Sequence, residues 1–452
     1  MSIYPDLVAA AMASAVCGEP LGLDADEVRE AFEDLYEANV KKIEEAGYLA
    51  WVPSVQDTWW FDGAAKLHGN PLADCEAYLL DSASDGGSLL SLLSFDMLQG
   101  SALEATTIRS RPGAVFASDQ ALYLAMRHRK YGAGSWYEGL PDESEATTFH
   151  KFRLSESAPT TSYVASGVVK GRILNQFSMG EHDGRLQVAT TTGHLPGPAY
   201  NTVAVLEAKG DALEVVGMLD HLAPDEDIRA VRFGGDLAFV VTFKKTDPLF
   251  VIDMSDPHAP AVKGEMKIPG FSTYLHFMDP THLLSIGFDA DDQGSFAWIQ
   301  GVMLQVFDVT DITNPTLMHK EVIGTRGSAS EAAMDHLAFN WFPPKEWLAI
   351  PMVVCEGASG GGGMGDEMTF NGLMVYKVTL DAGFEYLGGI PHATTQEFGQ
   401  WGGCGQWWSG SSSTVKRSIF MDDYAVSVAL DRIEFALVAD LGHPVATVEL
   451  MD

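Results

Sequence analysis

Positive charge is scarce in this 452-residue chain, which carries 28 Lys and Arg against 62 Asp and Glu, a formal net charge of −34. Phosphate binding needs clustered cations, so this balance argues against nucleic acid and against an anionic membrane surface as partners. No run of about 18 apolar residues occurs, so we predict no transmembrane segment. The acidic surface indicates a well-solvated protein, or one that attracts divalent cations or basic partners.

Cysteine is also sparse, and the four cysteines form no C-x-x-C pair, which disfavours a zinc ribbon or a thioredoxin-like site. Cys17, Cys75, Cys355 and Cys404 allow up to two disulfides in three pairings, and free buried thiols are an equal alternative. The N-terminus has no basic region before its apolar stretch, so we predict a helix there and no signal peptide. The hydrolase motifs G-x-S-x-G and H-E-x-x-H are missing, and we lean against an enzyme.

A repeated segment is what the sequence does contain. Residues 250–268 read FVIDMSDPHAPAVKGEMKI, and residues 305–323 read QVFDVTDITNPTLMHKEVI. The residues that correspond, at an offset of 55, are Asp253 and Asp308, Asp256 and Asp311, and Pro260 and Pro315. A strand-rich repeat of this length is typical of a β-propeller blade. We interpret the aspartates as turn residues that bond their own backbone, with calcium ligation as the alternative.

Short apolar strands separated by turns recur from about residue 50 to the C-terminus, for example at the hairpin signal Asp183-Gly184. They predict an all-β fold, a β-propeller of about six to eight four-stranded blades over residues 49–452. Residues 1–48 have helical periodicity and predict an N-terminal helical hairpin or insert.

Several ordered segments carry a resemblance to a known family. They include AVRFGGDLAFVVTFKKTDPLFVIDMSDPHAP, LQVFDVTDITNP, ASEAAMDHLAF, FNGLMVYKV and KRSIFMDD. The chain resembles a family of secreted bacterial and archaeal proteins with a C-terminal β-propeller distantly related to WD repeats. The resemblance implies an extracytoplasmic location, whether secreted, periplasmic or at the cell surface. Family members are longer upstream and carry early blade strands there, so we expect either a ring that closes with fewer blades or one that has an open edge at its N-terminus.

The resemblance supplies no catalytic residues. Asp335-His336-Leu337 stands where the family has Asp-His-Lys, which removes a cation from that position. His276, His336 and His392 recur at nearly the blade period, and equivalent positions in successive blades surround the axis of a propeller. With Asp335 they predict a metal site for calcium or a transition metal, the cofactor being otherwise unknown. The alternative is that each histidine braces its own blade through strand carbonyls.

Paired tryptophans suggest a further ligand site. Trp401, Trp407 and Trp408 lie in a Gly- and Ser-rich stretch and would suit stacking on a sugar ring, with core packing between blades as the alternative. We therefore predict a non-catalytic extracytoplasmic binding or scaffold protein with a protein or carbohydrate partner. The alternatives are a metal-binding protein or metal-dependent enzyme with a histidine cluster at the propeller channel, and carbohydrate binding through the tryptophans.

Overall fold

The structure, a computed structural model, divides the chain into two compact units, Met1–Arg111 with Leu154–Ser162, and Pro112–Arg153 with Tyr163–Asp452. The predicted domain boundary at residue 48 does not coincide with this division and stays a prediction. The residues that the structure describes are 25–47, 50, 53, 55–61, 63–70, 72, 78–80, 88–96, 103–109, 111–130, 136–154, 161–243, 247–268, 270–293, 297–357, 363–365, 367–392, 404 and 410–450.

The first unit combines one described helix with two small sheets. Helix α1 spans Ala25–Glu45, and the other half of the predicted hairpin falls on residues 1–24, outside the described part. Two of its apolar side chains are exposed, at 60% for Phe32 and 51% for Ile43. The strands are β1 (Asp57–Phe61), β2 (Ala64–His68), β3 (Tyr78–Leu80), β4 (Leu89–Ser94) and β5 (Glu104–Arg109), in the orders β1-β2 and β3-β5-β4.

Within its described residues the second unit contains five sheets, of which the first has eight strands and comprises two blades, so that six blades follow one another along the chain. Blade 1 has β6 (Ala114–Ala117), β7 (Ala121–Arg129), β8 (Glu145–Leu154) and β9 (Thr161–Lys170); blade 2 has β10 (Met179–His182), β11 (Arg185–Gly193), β12 (Ala199–Lys209) and β13 (Ala212–Leu222). Blade 3 has β14 (Asp227–Gly234), β15 (Leu237–Phe243), β16 (Asp247–Asp253) and β17 (Ala261–Ile268); blade 4 has β18 (Phe271–Asp279), β19 (His282–Asp292), β20 (Ala297–Asp308) and β21 (Thr316–Ile323). Blade 5 has β22 (Ala329–Ser330), β23 (Asn340–Phe342), β24 (Trp347–Glu356), β25 (Glu367–Thr379) and β26 (Gly383–Pro391); blade 6 has β27 (Val415–Met421), β28 (Tyr424–Ala429), β29 (Arg432–Leu437) and β30 (Ala446–Glu449).

The apolar core of this unit lies between neighbouring blades. Phe239 and Leu249 of blade 3, for example, pack in one buried cluster with Leu275 and Phe307 of blade 4. Each sheet is too small to bury both of its apolar faces alone, so stacking against the next sheet supplies the missing cover. The predicted all-β propeller fold is confirmed.

The repeated aspartates hold the loops between the third and fourth strands of blades 3 and 4. Asp253 Oδ1 accepts a hydrogen bond from Ser255 N at 2.9 Å, and Asp308 Oδ1 accepts one from Thr310 N at 2.8 Å. The second aspartate of each copy, Asp256 or Asp311, likewise accepts a hydrogen bond from the backbone N–H two residues later. All four aspartates therefore form Asx turns. The backbone and side-chain hydrogen bonds of Ser255 lower the pKa of Asp253, and those of Thr310 lower the pKa of Asp308. These contacts agree with the turn interpretation of the repeat.

Each of these loops sits on a glycine in the outer strand of the preceding blade. A Cβ on Gly217 of β13 would lie 2.1 Å from the carbonyl oxygen of Pro257, and one on Gly264 of β17 would lie 2.3 Å from that of Ile312. His258 Nδ1 also lies 3.2 Å from the Val216 carbonyl oxygen, which adds a polar contact at the first of these junctions. The missing side chain therefore lets the backbones of adjacent blades meet.

Blade 5 departs from the four-stranded pattern because its inner strand is interrupted. β22 and β23 both pair with β24, and residues 331–339 between them form two short 3-10 turns. The Asp335 carboxylate caps the second turn by accepting from Leu337 N at 3.0 Å. A disulfide joins Cys355 of β24 to Cys404. Cys17 and Cys75 lie outside the described residues.

Candidate functional site

The innermost strands of blades 1 to 3 enclose a cleft of about 340 Å³. This volume is at the lower end of the range for sites that bind small molecules. Its walls come from β6, β10, β14 and the 3-10 turn before β10. The lining residues are Phe116, Gln176, Phe177, Met179, Gly180, Glu181, Gln187, Arg232, Phe233 and Gly235.

An aromatic cluster continues from this cleft to the inner edges of blades 4 and 5. We call Phe177, Tyr274, His276, His336 and Phe339 the inner aromatic cluster. The ring centroids of Phe177 and His336 are 4.8 Å apart, those of Phe177 and Tyr274 5.1 Å, and those of Tyr274 and Phe339 5.2 Å. The interrupted inner strand of blade 5 explains how His336 reaches the cluster, because it leads the chain through a tight turn at that point.

Arg232 is the one lining residue whose charge has no carboxylate partner among the described residues. Its guanidinium lies 5.2 Å from the ring centroid of Phe177 and 5.7 Å from that of Phe277. Stacking on rings removes water from a cation without neutralising it. By contrast, Arg172 pairs with Glu145 at 3.2 Å and Arg417 pairs with Asp335 at 2.5 Å. A half-buried arginine without a carboxylate partner can bind an anionic group from solution.

Glu181, the carboxylate in the cleft wall, already has its partners. It accepts hydrogen bonds from the Ser118 hydroxyl and, at 2.7 Å, from Tyr123, and Lys151 Nζ lies 3.2 Å from it. Burial would raise the pKa of Glu181, but these bonds outweigh it and the pKa is lowered. The pKa of Tyr123 is raised by burial and by the same carboxylate. Glu181 thus links blades 1 and 2 and is a poor proton acceptor for a ligand.

The predicted residues His276 and His336 lie in the inner aromatic cluster. Burial, with a contribution from the Arg232 charge, lowers the pKa of His276 to about 4, so the ring is neutral near pH 7. Its Nδ1 is 3.1 Å from the Tyr274 hydroxyl, and His336 Nε2 is 3.2 Å from Gln176 Nε2. Asp335 Oδ1 lies 3.8 Å from His336 Nδ1, beyond hydrogen-bond distance, while its Oδ2 forms a 2.5 Å ion pair with Arg417.

His392, the third predicted histidine, directly follows β26 of blade 5, and its side chain contacts blade 6. Its side chain is fully buried, with Nε2 2.5 Å from the Ser427 hydroxyl and 3.3 Å from Glu434 Oε2. Burial lowers its pKa despite the nearby carboxylate. A serine hydrolase would need the hydroxyl and the carboxylate on opposite ring nitrogens and an accessible serine, whereas here both face Nε2 and Ser427 is buried. These contacts therefore join the end of blade 5 to blade 6.

The proposed metal ligands do not form one donor set. Within the described residues, no group of three or more His, Cys, Asp or Glu side chains is arranged to hold a metal ion. Trp401, Trp407 and Trp408 fall outside the described residues, so the sugar-stacking prediction stays a prediction.

Sequence reasoning missed Arg232, although a signal was available. Arg232 pairs with Phe239 in the hairpin of blade 3, and His276 pairs with Leu284 in the hairpin of blade 4. Each lies two paired positions inside the last pair of its hairpin, with the irregularity between Phe277 and Asp279 adding one residue in blade 4, so the two are equivalent in successive blades. Aligning inner hairpins by register, and not by residue type, would have placed the arginine at the level of the histidines.

Comparisons with known proteins agree with this fold. A family model described as a beta propeller domain matches residues 16–441. An uncharacterized protein of Archaeoglobus fulgidus is 40% identical over 197 residues, 44% of this chain and 28% of that protein. Uncharacterized protein MJ1554 of Methanocaldococcus jannaschii is 42% identical over 180 residues, 39% of this chain and 27% of that protein. The matched segments thus span under a third of the length of either relative.

Among solved structures, a periplasmic gluconolactonase of Pseudomonas aeruginosa aligns with 80% of this chain and 97% of its own, at 15% identity and a TM-score of 0.41. No helix within the described residues is long and apolar enough to cross a membrane.

Proposed function

This chain belongs to the beta propeller domain family, and we propose that it is a non-catalytic extracytoplasmic binding protein whose inner cleft holds an anionic group. The observation that carries the proposal is Arg232, stacked on Phe177 and Phe277 without a carboxylate among the described residues. Desolvation by the rings strengthens the attraction to a bound anion, and the planar guanidinium can donate two parallel hydrogen bonds to a carboxylate or phosphate.

The remaining cleft residues support binding over catalysis. His276 is neutral, with a pKa of about 4, and Glu181 is held by three donors. A general base needs a pKa near the working pH, and neither group meets that condition. Gln176 and Gln187 supply neutral amides beside the arginine, which suits recognition of polar groups next to the charge.

The extracytoplasmic location is supported by the Cys355–Cys404 disulfide, since stable disulfides form mainly in oxidising compartments.

Calorimetric titration with galacturonate and with galactose, which differ at one carboxylate, tests the proposal. We expect the wild-type protein to bind galacturonate and not galactose. Arg232→Gln should weaken that binding by roughly 10- to 100-fold, the loss of a charge-assisted contact. The matched control is Arg185→Gln, which removes the same charge from a surface pair with Glu207 3.2 Å away. Equal affinity for both sugars, equal losses in both variants, or binding of neither sugar nor inorganic phosphate would refute an anion site at Arg232.

A further inference from the structure

The junction between blades 1 and 2 lacks the long loop that fills the corresponding space at the next two junctions, between blades 2 and 3 and between blades 3 and 4. In blades 3 and 4 the third and fourth strands are joined by residues 254–260 and 309–315, which cover a glycine of the preceding blade. In blade 2 the same connection is only the turn Gly210-Asp211. Among the residues that the structure describes, this shorter turn leaves the outer strands of the first two blades uncovered where the long loop would lie.

The two outer strands touch at one end and separate toward the other. β9 and β13 run parallel and share a single residue pair, Ser166 with Ala212, next to the hydrogen bond from Ser166 N to Asp211 O at 3.1 Å. A Cβ on Gly167 would lie 2.2 Å from the carbonyl oxygen of Leu213, so the backbones are still in contact there. Beyond this point a groove of about 630 Å³ opens. It is lined by residues 137–143, 168–170, Val215 and Met218.

The walls of the groove offer backbone groups that are not used in a ladder between these strands. Because Ser166 N points toward β13, strand alternation directs the N–H groups of Val168 and Lys170 toward the same side. The ladder between β9 and β13 does not extend to either residue. Such strand edges accept an added strand from another chain.

The side chains around the groove indicate the composition of that strand. Val215 and Met218 are 39% and 41% exposed on β13, on one face because a bulge separates them. The facing loop carries Glu138, Asp142 and Glu143, and it is fixed by the hydrogen bond from Trp136 Nε1 to Leu140 O at 2.8 Å. Lys170, the cation of the lining, is already bound to Asp220 at 2.7 Å. The rim is therefore acidic and the floor apolar.

From this geometry we infer that the groove between β9 and β13 binds an extended peptide segment of alternating apolar and basic residues, inserted as an extra strand. Apolar side chains would cover Val215 and Met218, and the alternate basic side chains would meet the acidic loop. This groove is separate from the Arg232 cleft, so the result of testing one proposal does not bear on the other.

The probe is the capped hexapeptide acetyl-(Val-Lys)3-amide, labelled for fluorescence anisotropy. We expect it to bind the wild-type chain. Its affinity should fall as the salt concentration rises, because salt screens the contacts between the lysines of the peptide and the exposed acidic loop. Val215→Lys should weaken binding by about tenfold or more, because it removes one of the two apolar contacts on the floor of the groove. Val262→Lys is the matched control: Val262 lies on the outer strand of blade 3, is equally exposed at 39%, and should leave binding unchanged.

Two further peptides separate the parts of the inference. The acetyl-(Val-Glu)3-amide peptide should not bind, and a (Val-Lys)3 peptide methylated on alternate backbone nitrogens should fail because it cannot extend the sheet. Binding of the acidic peptide, full binding of the methylated one, equal loss in both lysine variants, or no binding of any peptide would overturn the proposal. Sedimentation of the wild-type chain as a dimer that Val215→Lys dissociates would also overturn it, in favour of a second copy as the occupant.

Discussion

Replacing Gly264 by alanine tests whether close contact between outer strands and loops holds adjacent blades together. The added Cβ would lie 2.3 Å from Ile312 O and 2.8 Å from Pro315 Cδ, both far inside van der Waals contact. The side chain cannot turn away, since Cβ is fixed by the backbone. The loop must therefore move, and Asp308 and Asp311 hold it through Asx hydrogen bonds of 2.8 and 3.0 Å.

The magnitude follows from the cost of overpacking. An extra carbon in a rigid contact typically costs about 1–3 kcal/mol of unfolding free energy. We expect the upper part of that range, because the new Cβ would meet backbone on one side and a proline ring on the other. For a cooperative unit of roughly 330 residues, about 2–3 kcal/mol corresponds to a melting temperature lowered by ~3–4 °C. Gly264 needs no positive φ, so the effect is steric rather than conformational.

Thermal unfolding followed by circular dichroism, with urea unfolding as a second measure, is the assay. Gly442→Ala serves as the control, because a Cβ there meets nothing within 4 Å and its φ is not positive. We expect the control to match the wild type within about 0.5 kcal/mol. If Gly264→Ala unfolds at the wild-type temperature, the loop yields without cost and the proposed role of this contact in joining the blades is wrong.

Two other predictions concern stability. The Cys355–Cys404 disulfide closes a sequence separation of 49, so the double variant Cys355→Ser/Cys404→Ser should lose about 4 kcal/mol of unfolding free energy, measured by urea titration; an unchanged midpoint would contradict this. The Thr310 hydroxyl and N–H lower the pKa of Asp308, so its contribution is present above the ordinary aspartate pKa of about 4 and is lost as the pH falls through the lower folded value. Asp308→Asn keeps the acceptor oxygen and should make unfolding free energy less dependent on pH below about 4, and identical pH profiles for the two proteins would argue against it.

The repeat with its aspartates and proline could be assigned from sequence because it is a local device. Asp253 and Asp308 bond backbone two residues away, so their role depends on almost nothing distant. Alternation of apolar residues predicts strands for the same reason, and strands too short to stand alone predict stacking. Those local facts were enough to predict the fold class.

The candidate sites depended on distances that no local pattern contains. The periodicity of His276, His336 and His392 suggested one shared site, yet the interrupted strand of blade 5 carries His336 into an aromatic cluster, while His392, at the end of blade 5, bonds to a side chain of blade 6. Arg232 gains its significance only from the two rings stacked on it and from the carboxylates it does not meet within the described residues.

The sequence by itself determined the strands, their turns and the repeating blade, because hydrogen bonds and apolar alternation act over a few residues. Only the tertiary structure decided which charges are neutralised and where a gap opens between outer strands. Those outcomes depend on which blades become neighbours and on whether the loops between strands are long enough to fill the space between them. Both are set by contacts between residues far apart in sequence.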